Sequence, residues 1–238
     1  MKKIQDLRVK LFADGADKAG IVEMARLPYI AGFTTNPTLM RKAGVADYVA
    51  FARDVLRAVP QRPISFEVFS DDFPEMERQA SEIAGWGENV YVKIPVTNTL
   101  GRPSYELIQR LTEAGIKLNV TALLTLDQVR EVSAALSGRT PAVISVFAGR
   151  IADTGRDPVP LMAEAVELLR PHPNQELLWA SPRELLNVFQ ADAVGCHIIT
   201  ATRDVLEKLT LLGKDLAAYS LETVKMFHED ARRSGYKL

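Results

Sequence analysis

One cysteine, Cys196, is all the sulfhydryl chemistry the chain has, so no internal disulfide can form and a reducing compartment is expected. Histidine is nearly as scarce. His172, His197 and His228 fall in separate segments without a second ligand at metal spacing, and no C-x-x-C occurs, so a metal site is not expected. No apolar run approaches the roughly 20 residues that cross a bilayer. The opening MKKIQDLRVKLFAD is basic but lacks the continuous apolar stretch of a secretory leader. A cytoplasmic protein that stays out of the membrane is the expectation. An excess of one charge is missing too: 29 Lys and Arg stand against 30 Asp and Glu, spread along the chain, which leaves no basic footprint for nucleic acid. Neither G-x-G-x-x-G nor G-x-x-x-x-G-K-[ST] is present, which removes the usual signatures of a dinucleotide fold and a P-loop. No G-x-S-x-G surrounds a serine, and Cys196 sits inside an apolar run that reads as core, so hydrolase chemistry is unsupported and no cofactor is implied.

What the chain has is a repeated pattern. Its 238 residues are 47% apolar, enough for one large core. Strand-sized runs recur as VKLFAD, YIAGFTT, PISFEVF, NVYVKIPV, IKLNVTALL, AVISVF, ELLWAS and CHIITAT. Many are apolar at successive positions, as in parallel strands buried on both faces. Amphipathic stretches such as AGVADYVAFARDVLRAV, DDFPEMERQASEIAGWG and DPVPLMAEAVELLR lie between them. Eight strand–helix units in about 210 residues predict an α/β fold, a single (β/α)₈ TIM barrel over residues 1–238, rather than an open sheet. A further amphipathic helix is expected at 219–234, with a neighbouring subunit as its packing partner.

In such a barrel the reactive groups sit at the carboxyl ends of the strands, so polar residues there are weighed one by one. Asp14 closes VKLFAD, Asn36 follows YIAGFTT, Glu67 lies in ISFEVF, and Lys93 stands within VYVKIP. Asn119 and Thr121, two apart on one strand, point the same way, and Ser145 and Ser181 complete the ring. Burial disfavours the charged form of an amine, and a neutral lysine amine attacks carbonyls, so Lys93 reads as a Schiff-base nucleophile. The alternative is a structural lysine paired with an acid, with Glu67 and Asp14 merely neutralising it. An aldol cleavage through an imine needs a base for the substrate hydroxyl and a positioned water, which two carboxylates on different strands can serve. Arg150 and Arg183, late in the barrel, suit a phosphate monoester that each planar fork binds through two oxygens; singly, either reads as a surface ion pair.

The runs TTNP (34–37), VKIPVT around Lys93, NVTALLT from Asn119, SVFAGRI through Arg150 and WASPR ending at Arg183 appear in an order that resembles the transaldolase family, whose small-subunit branch includes the fructose-6-phosphate aldolases. By that resemblance Lys93 is the Schiff-base lysine and Asp14 the acid/base of carbon–carbon cleavage. Glu67 handles the catalytic water with Thr121. Asn36, Asn119 and Ser145 hold the dihydroxyacetone unit, and Arg150 and Arg183, with Ser181, take the sugar phosphate. The aldolases of this family carry glutamine where Glu67 stands and tyrosine where Phe147 stands, so both positions side with transfer. The implied activity moves a dihydroxyacetone unit from a ketose phosphate to an aldose phosphate, without cofactor, in a homo-oligomer. The alternatives are net aldol cleavage, a C6-modified ketose such as a sulfosugar, or a non-catalytic sugar-phosphate-binding barrel. Pro182 and Glu184 depart from the family's ASFR loop, and Trp179 is bulky for its place, so both bear on the pocket. The run FEVFSDD has no role assigned by the resemblance.

Overall fold

The computed structural model describes residues 3–237, and the expected TIM barrel is what it contains. Eight parallel strands close in sequence order: β1 (Lys10–Asp14), β2 (Ile30–Thr34), β3 (Ile64–Glu67), β4 (Val90–Pro95), β5 (Leu118–Leu123), β6 (Ala142–Val146), β7 (Gln175–Trp179) and β8 (Ile198–Thr202), with β8 pairing back to β1. Each strand falls in one of the eight apolar runs, except that β7 begins one residue ahead of its run, at Gln175. The first four helices start where the sequence supplies a side-chain acceptor for free backbone N–H groups. Asp17 caps α1 (Lys18–Ala25), Asn36 caps α2 (Pro37–Lys42), Asp47 caps α3 (Tyr48–Ala58) and Asp72 caps α4 (Phe73–Ala84). Pro37 and Pro74 lie in the first turns of α2 and α4, where a missing N–H costs nothing. After β4 come α5 (Tyr105–Glu113) and α6 (Leu126–Ala135), then α7 (Ala148–Asp153), α8 (Val159–Leu169), α9 (Leu186–Ala193) and α10 (Arg203–Glu207).

Two apolar layers divide the strand side chains. The larger lies between strands and helices and takes Leu11, Phe33, Phe66, Val92, Ile94, Val120, Ile144, Leu177 and Trp179. The smaller fills the barrel interior with Phe12, Val143, Leu178, Ala180 and Ile198. Gly32 serves this interior, because a Cβ there would lie 2.5 Å from the Phe12 ring. Alternation along each strand follows from the pleat. It puts Asp14, Glu67, Lys93, Asn119, Thr121 and Ser145 on the inner side, above the apolar plug. Trp179 alternates with the inward Leu178 and Ala180, so it faces the helices. It is fully buried there and does not narrow the barrel mouth, contrary to the expectation drawn from its bulk.

The last helix, α11, runs Leu216–Ser234 with Asp215 as its cap, three residues earlier than the apolar spacing alone places it. None of its residues is buried. Among the described residues no helix is long and apolar enough to cross a membrane.

Candidate active site

Lys93 is the most deeply buried cation of the barrel mouth, with 8% of its side chain exposed. Register explains its neighbour: Glu67 on β3 pairs with Lys93 on β4, so both side chains leave adjacent strands on the same face. The ammonium lies 3.0 Å from Glu67 Oε2 and donates to the Thr35 carbonyl at 3.0 Å. Asp14 completes the charged group from β1. Its Oδ1 accepts from the Thr34 hydroxyl at 2.8 Å and its Oδ2 from Asn36 Nδ2 at 3.4 Å. Thr34 Oγ1 also meets Thr200 Oγ1 of β8 at 2.6 Å. Burial pushes the Asp14 carboxyl above the usual aspartate range, and the Lys93 charge opposes that shift without cancelling it.

A second polar row crosses the interior. Asn119 donates through Nδ2 to Ser65 Oγ at 3.0 Å and accepts from the Ser145 hydroxyl at 2.6 Å, joining β3, β5 and β6. Thr121, two residues further out on the same side, has a buried hydroxyl with no partner among the described residues. A buried hydroxyl without a partner is costly, so the inward Thr121 Oγ1 has hydrogen-bonding capacity left for water or ligand.

The two arginines sit at the rim. Arg150, in α7, is exposed and lies 5.5 Å from the centre of the half-buried Phe147 ring. Arg183 follows β7, and its Nε donates to Asp153 Oδ1 at 2.9 Å while Nη2 contacts Oδ2. Arg183 first, and Arg150 at longer range, hold the Asp153 carboxyl below its usual range. Gly149 is what allows this meeting. A Cβ there would fall 1.5 Å from the Ser181 carbonyl oxygen and 3.4 Å from Arg183 Nε, so only glycine lets α7 close on the loop after β7. Ser181 itself holds φ at 61°, a conformation L side chains seldom adopt and one that clusters at ligand sites.

The residues that sequence reasoning singles out therefore form two groups, an inner one of Asp14, Asn36, Glu67, Lys93, Asn119, Thr121 and Ser145 and a rim group of Phe147, Arg150, Ser181 and Arg183. Sequence reasoning misses Thr34, Ser65 and Thr200, which complete the inner hydrogen bonds, as well as Tyr48, whose hydroxyl bonds the Glu67 backbone, and Asp153, the partner of Arg183. The inward parity of the three strand residues is a readable signal; the two helix residues have none. FEVFSDD, unassigned from sequence, ties the loop after β3 to the loop after β4. Asp71 accepts from Thr99 N at 2.7 Å and Thr99 Oγ1 at 2.6 Å, fixing the loop after β4, and Asp72 caps α4. Cys196 is in the core as expected, and burial pushes its thiol up to about 12.

Residues 11–238 match the family model described as Transaldolase/Fructose-6-phosphate aldolase. A protein of Thermoanaerobacter sp. named "Probable transaldolase" is 33% identical over 231 residues, covering 97% of this chain and 100% of the relative. Proteins of the same name from Dehalococcoides mccartyi and Roseiflexus castenholzii are 33% and 35% identical over 84% of this chain and 90% and 88% of theirs. Among solved structures, the "putative phosphonomutase" of Burkholderia cenocepacia J2315 superimposes with a TM-score of 0.57 at 12% identity, covering 90% of this chain and 94% of that one, a likeness of fold alone. With the family match spanning nearly the whole length and a relative aligned over all of its own, the chain belongs to the transaldolase/fructose-6-phosphate aldolase family.

Proposed function

We propose that this protein is a cofactor-independent transaldolase that carries a dihydroxyacetone unit on Lys93 from a ketose phosphate of the fructose 6-phosphate type to an aldose phosphate. The observation that carries this reading is the buried Lys93 at the carboxyl end of a barrel strand, held between the Thr35 carbonyl and Glu67 and within the field of Asp14. Once its proton passes to solvent or to Glu67, the amine attacks the ketone carbon and water leaves to form the iminium. Asp14 takes the proton of the C4 hydroxyl as the C3–C4 bond breaks, and the electron pair enters the iminium to give an enamine. The aldehyde departs, an acceptor aldehyde enters, and the steps run back with Asp14 returning the proton. Glu67 and the free hydroxyl of Thr121 hold the water that forms and hydrolyses the imine. Asn36, Asn119 and Ser145 bind the dihydroxyacetone hydroxyls, with Phe147 beside them. Arg150, Arg183 and Ser181 receive the phosphate at the rim.

A net aldolase is the second reading, and Glu67 and Phe147 weigh against it through the family pattern. Turnover without acceptor aldehyde is the measurement that separates the two. The uncovered α11 supports a homo-oligomer in which a second copy of the chain covers that helix. The small-molecule chemistry and the scarcity of cysteine fit a cytoplasmic setting.

The test is intact-mass spectrometry after borohydride reduction with fructose 6-phosphate, followed by peptide mapping, in the natural protein and in Lys93→Ala. A dihydroxyacetone-sized or whole-sugar adduct on Lys93, absent from the variant, is expected. An unlabelled Lys93 across a panel of phosphorylated and C6-modified ketoses would sink the reading and leave the sugar-binding barrel.

A further inference from the structure

We propose that Tyr48, on α3 and outside the polar set of the barrel, is a positioning residue that stands in for two missing rungs of the β2–β3 ladder and thereby sets Glu67 and Lys93 in place. This inference rests on the transaldolase reading above. In a parallel pair each residue of one strand uses its N–H and C=O toward the same neighbour, alternating sides along the strand. On β3 the residues facing β2 are odd-numbered: Phe33 N donates to Pro63 O at 2.8 Å and Thr35 N to Ser65 O at 3.1 Å. The even-numbered ones face β4, where Ile64 N donates to Asn89 O and Val68 N to Lys93 O. Glu67 is the next odd residue. Continuation of the ladder would join its N–H to the Thr35 carbonyl and its C=O to the N–H of residue 37.

Neither rung forms. Residue 37 is Pro37, which has no N–H, and the chain turns there into α2. The Thr35 carbonyl is taken by Lys93 Nζ at 3.0 Å. The Tyr48 hydroxyl fills both vacancies, accepting from Glu67 N at 2.9 Å and donating to Glu67 O at 3.0 Å. A phenol is among the few side chains that can do both with one atom. Its ring is fixed edge-on against Phe66, Phe69 and Trp86, with centroids 6.1, 4.4 and 5.5 Å away. The exchange leaves the end of β3 anchored without drawing it onto Thr35. That carbonyl stays available to Lys93, and the Glu67 carboxylate is held at the amine.

The experiment is Tyr48→Phe, which keeps the ring and deletes the hydroxyl, alone and in a Glu67→Gln background, with circular dichroism as the folding control. Misplacement of a reacting group by about an ångström costs on the order of a hundredfold in rate. A fall of at least about tenfold in kcat with KM little changed is therefore expected for the single variant. In the Glu67→Gln background the same change should cost much less, because a residue acting through Glu67 has little left to act on. 4-Aminophenylalanine at position 48, which restores a donor and acceptor at the same place, should recover part of the lost kcat and serves if the Phe variant does not fold. An unchanged kcat, or an equal fold loss in both backgrounds, would overturn the positioning role even where Lys93 is labelled normally. An unlabelled Lys93 in the natural protein would instead overturn the transaldolase reading, and this inference with it.

Discussion

Glu67 and Lys93 face one another because they are registered partners on β3 and β4, and their unequal burial decides how the pair responds to change. The lysine side chain is 8% exposed and the glutamate 19%, so the ammonium depends more on its partner than the carboxylate does. Removing one member of a buried pair costs roughly 3–5 kcal/mol when the other is left uncompensated. Glu67→Ala should therefore destabilise the fold by about 3 kcal/mol, and Lys93→Met by less, since Glu67 keeps some access to water and the buried Asp14, already held above its ordinary range, neutralises by taking up a proton. Urea unfolding of the two variants at pH 7 gives the comparison. Equal losses would mean that the charge pairing is not what matters there.

Asp14 provides a pH test with a definite sign. Its carboxyl titrates above the ordinary value of 3.8 in the fold, chiefly because burial disfavours the charge. The folded state then binds more protons than the unfolded state as pH rises from 3.8 to the raised value, so this group lowers stability across that window and stays unfavourable above it. Asp14→Asn is expected to be more stable than the natural protein at neutral pH, with the advantage shrinking as pH falls from the raised value toward 3.8 and absent below it, and to lose most of its kcat. Thermal melts over a pH series check the first part. A variant less stable at neutral pH would show that Asp14 is a structural ion, not a held acid/base.

Arg183 bears on substrate recognition. Its partner Asp153 is exposed, so a phosphate can replace or join that carboxylate. Arg183→Ala should raise KM for fructose 6-phosphate by at least about tenfold, the scale of a lost charge-assisted hydrogen bond, and leave KM for unphosphorylated fructose nearly unchanged. Equal effects on both sugars would remove the phosphate assignment.

The contact between Gly149 and Ser181 makes position 149 intolerant of any side chain. Gly149→Ala puts a methyl group 1.5 Å from the Ser181 carbonyl oxygen, and backbone must move. A destabilisation of about 1–3 kcal/mol, as in other overpacked sites, is expected together with weakened sugar-phosphate binding. Calorimetry and donor KM measure the two. A variant unaffected in both would mean that α7 and the loop after β7 are not held in register.

Oligomerisation has a direct test on α11. Val224 and Phe227, three residues apart on one side of the helix, are 60% and 63% exposed. The natural protein is expected to sediment as a multimer of its 26.3 kDa chain, and Val224→Glu with Phe227→Glu to shift it toward that monomer mass. A natural protein already at the monomer mass would exclude the proposed subunit contact.

The period of the apolar residues determines the barrel: eight short runs, apolar at neighbouring positions and separated by amphipathic stretches, leave a chain of this length little choice but to close its sheet. Inward parity and position at strand ends likewise make Asp14, Glu67, Lys93, Asn119 and Thr121 legible one by one, because the pleat fixes every second side chain once the strand is placed. The helix boundary at Leu216 was less legible, since its Asp215 cap precedes the apolar spacing. Tertiary structure alone decides which way Trp179 faces, because one residue of phase separates the barrel interior from the helix layer. It also decides the partners of Lys93 and Arg183. Tyr48 and Asp153 reach those sites from helices, and contacts between elements distant in sequence leave no local periodicity to read. The ladder that stops at Pro37 makes room for Tyr48, and that space exists only once β2, β3 and α3 have packed together.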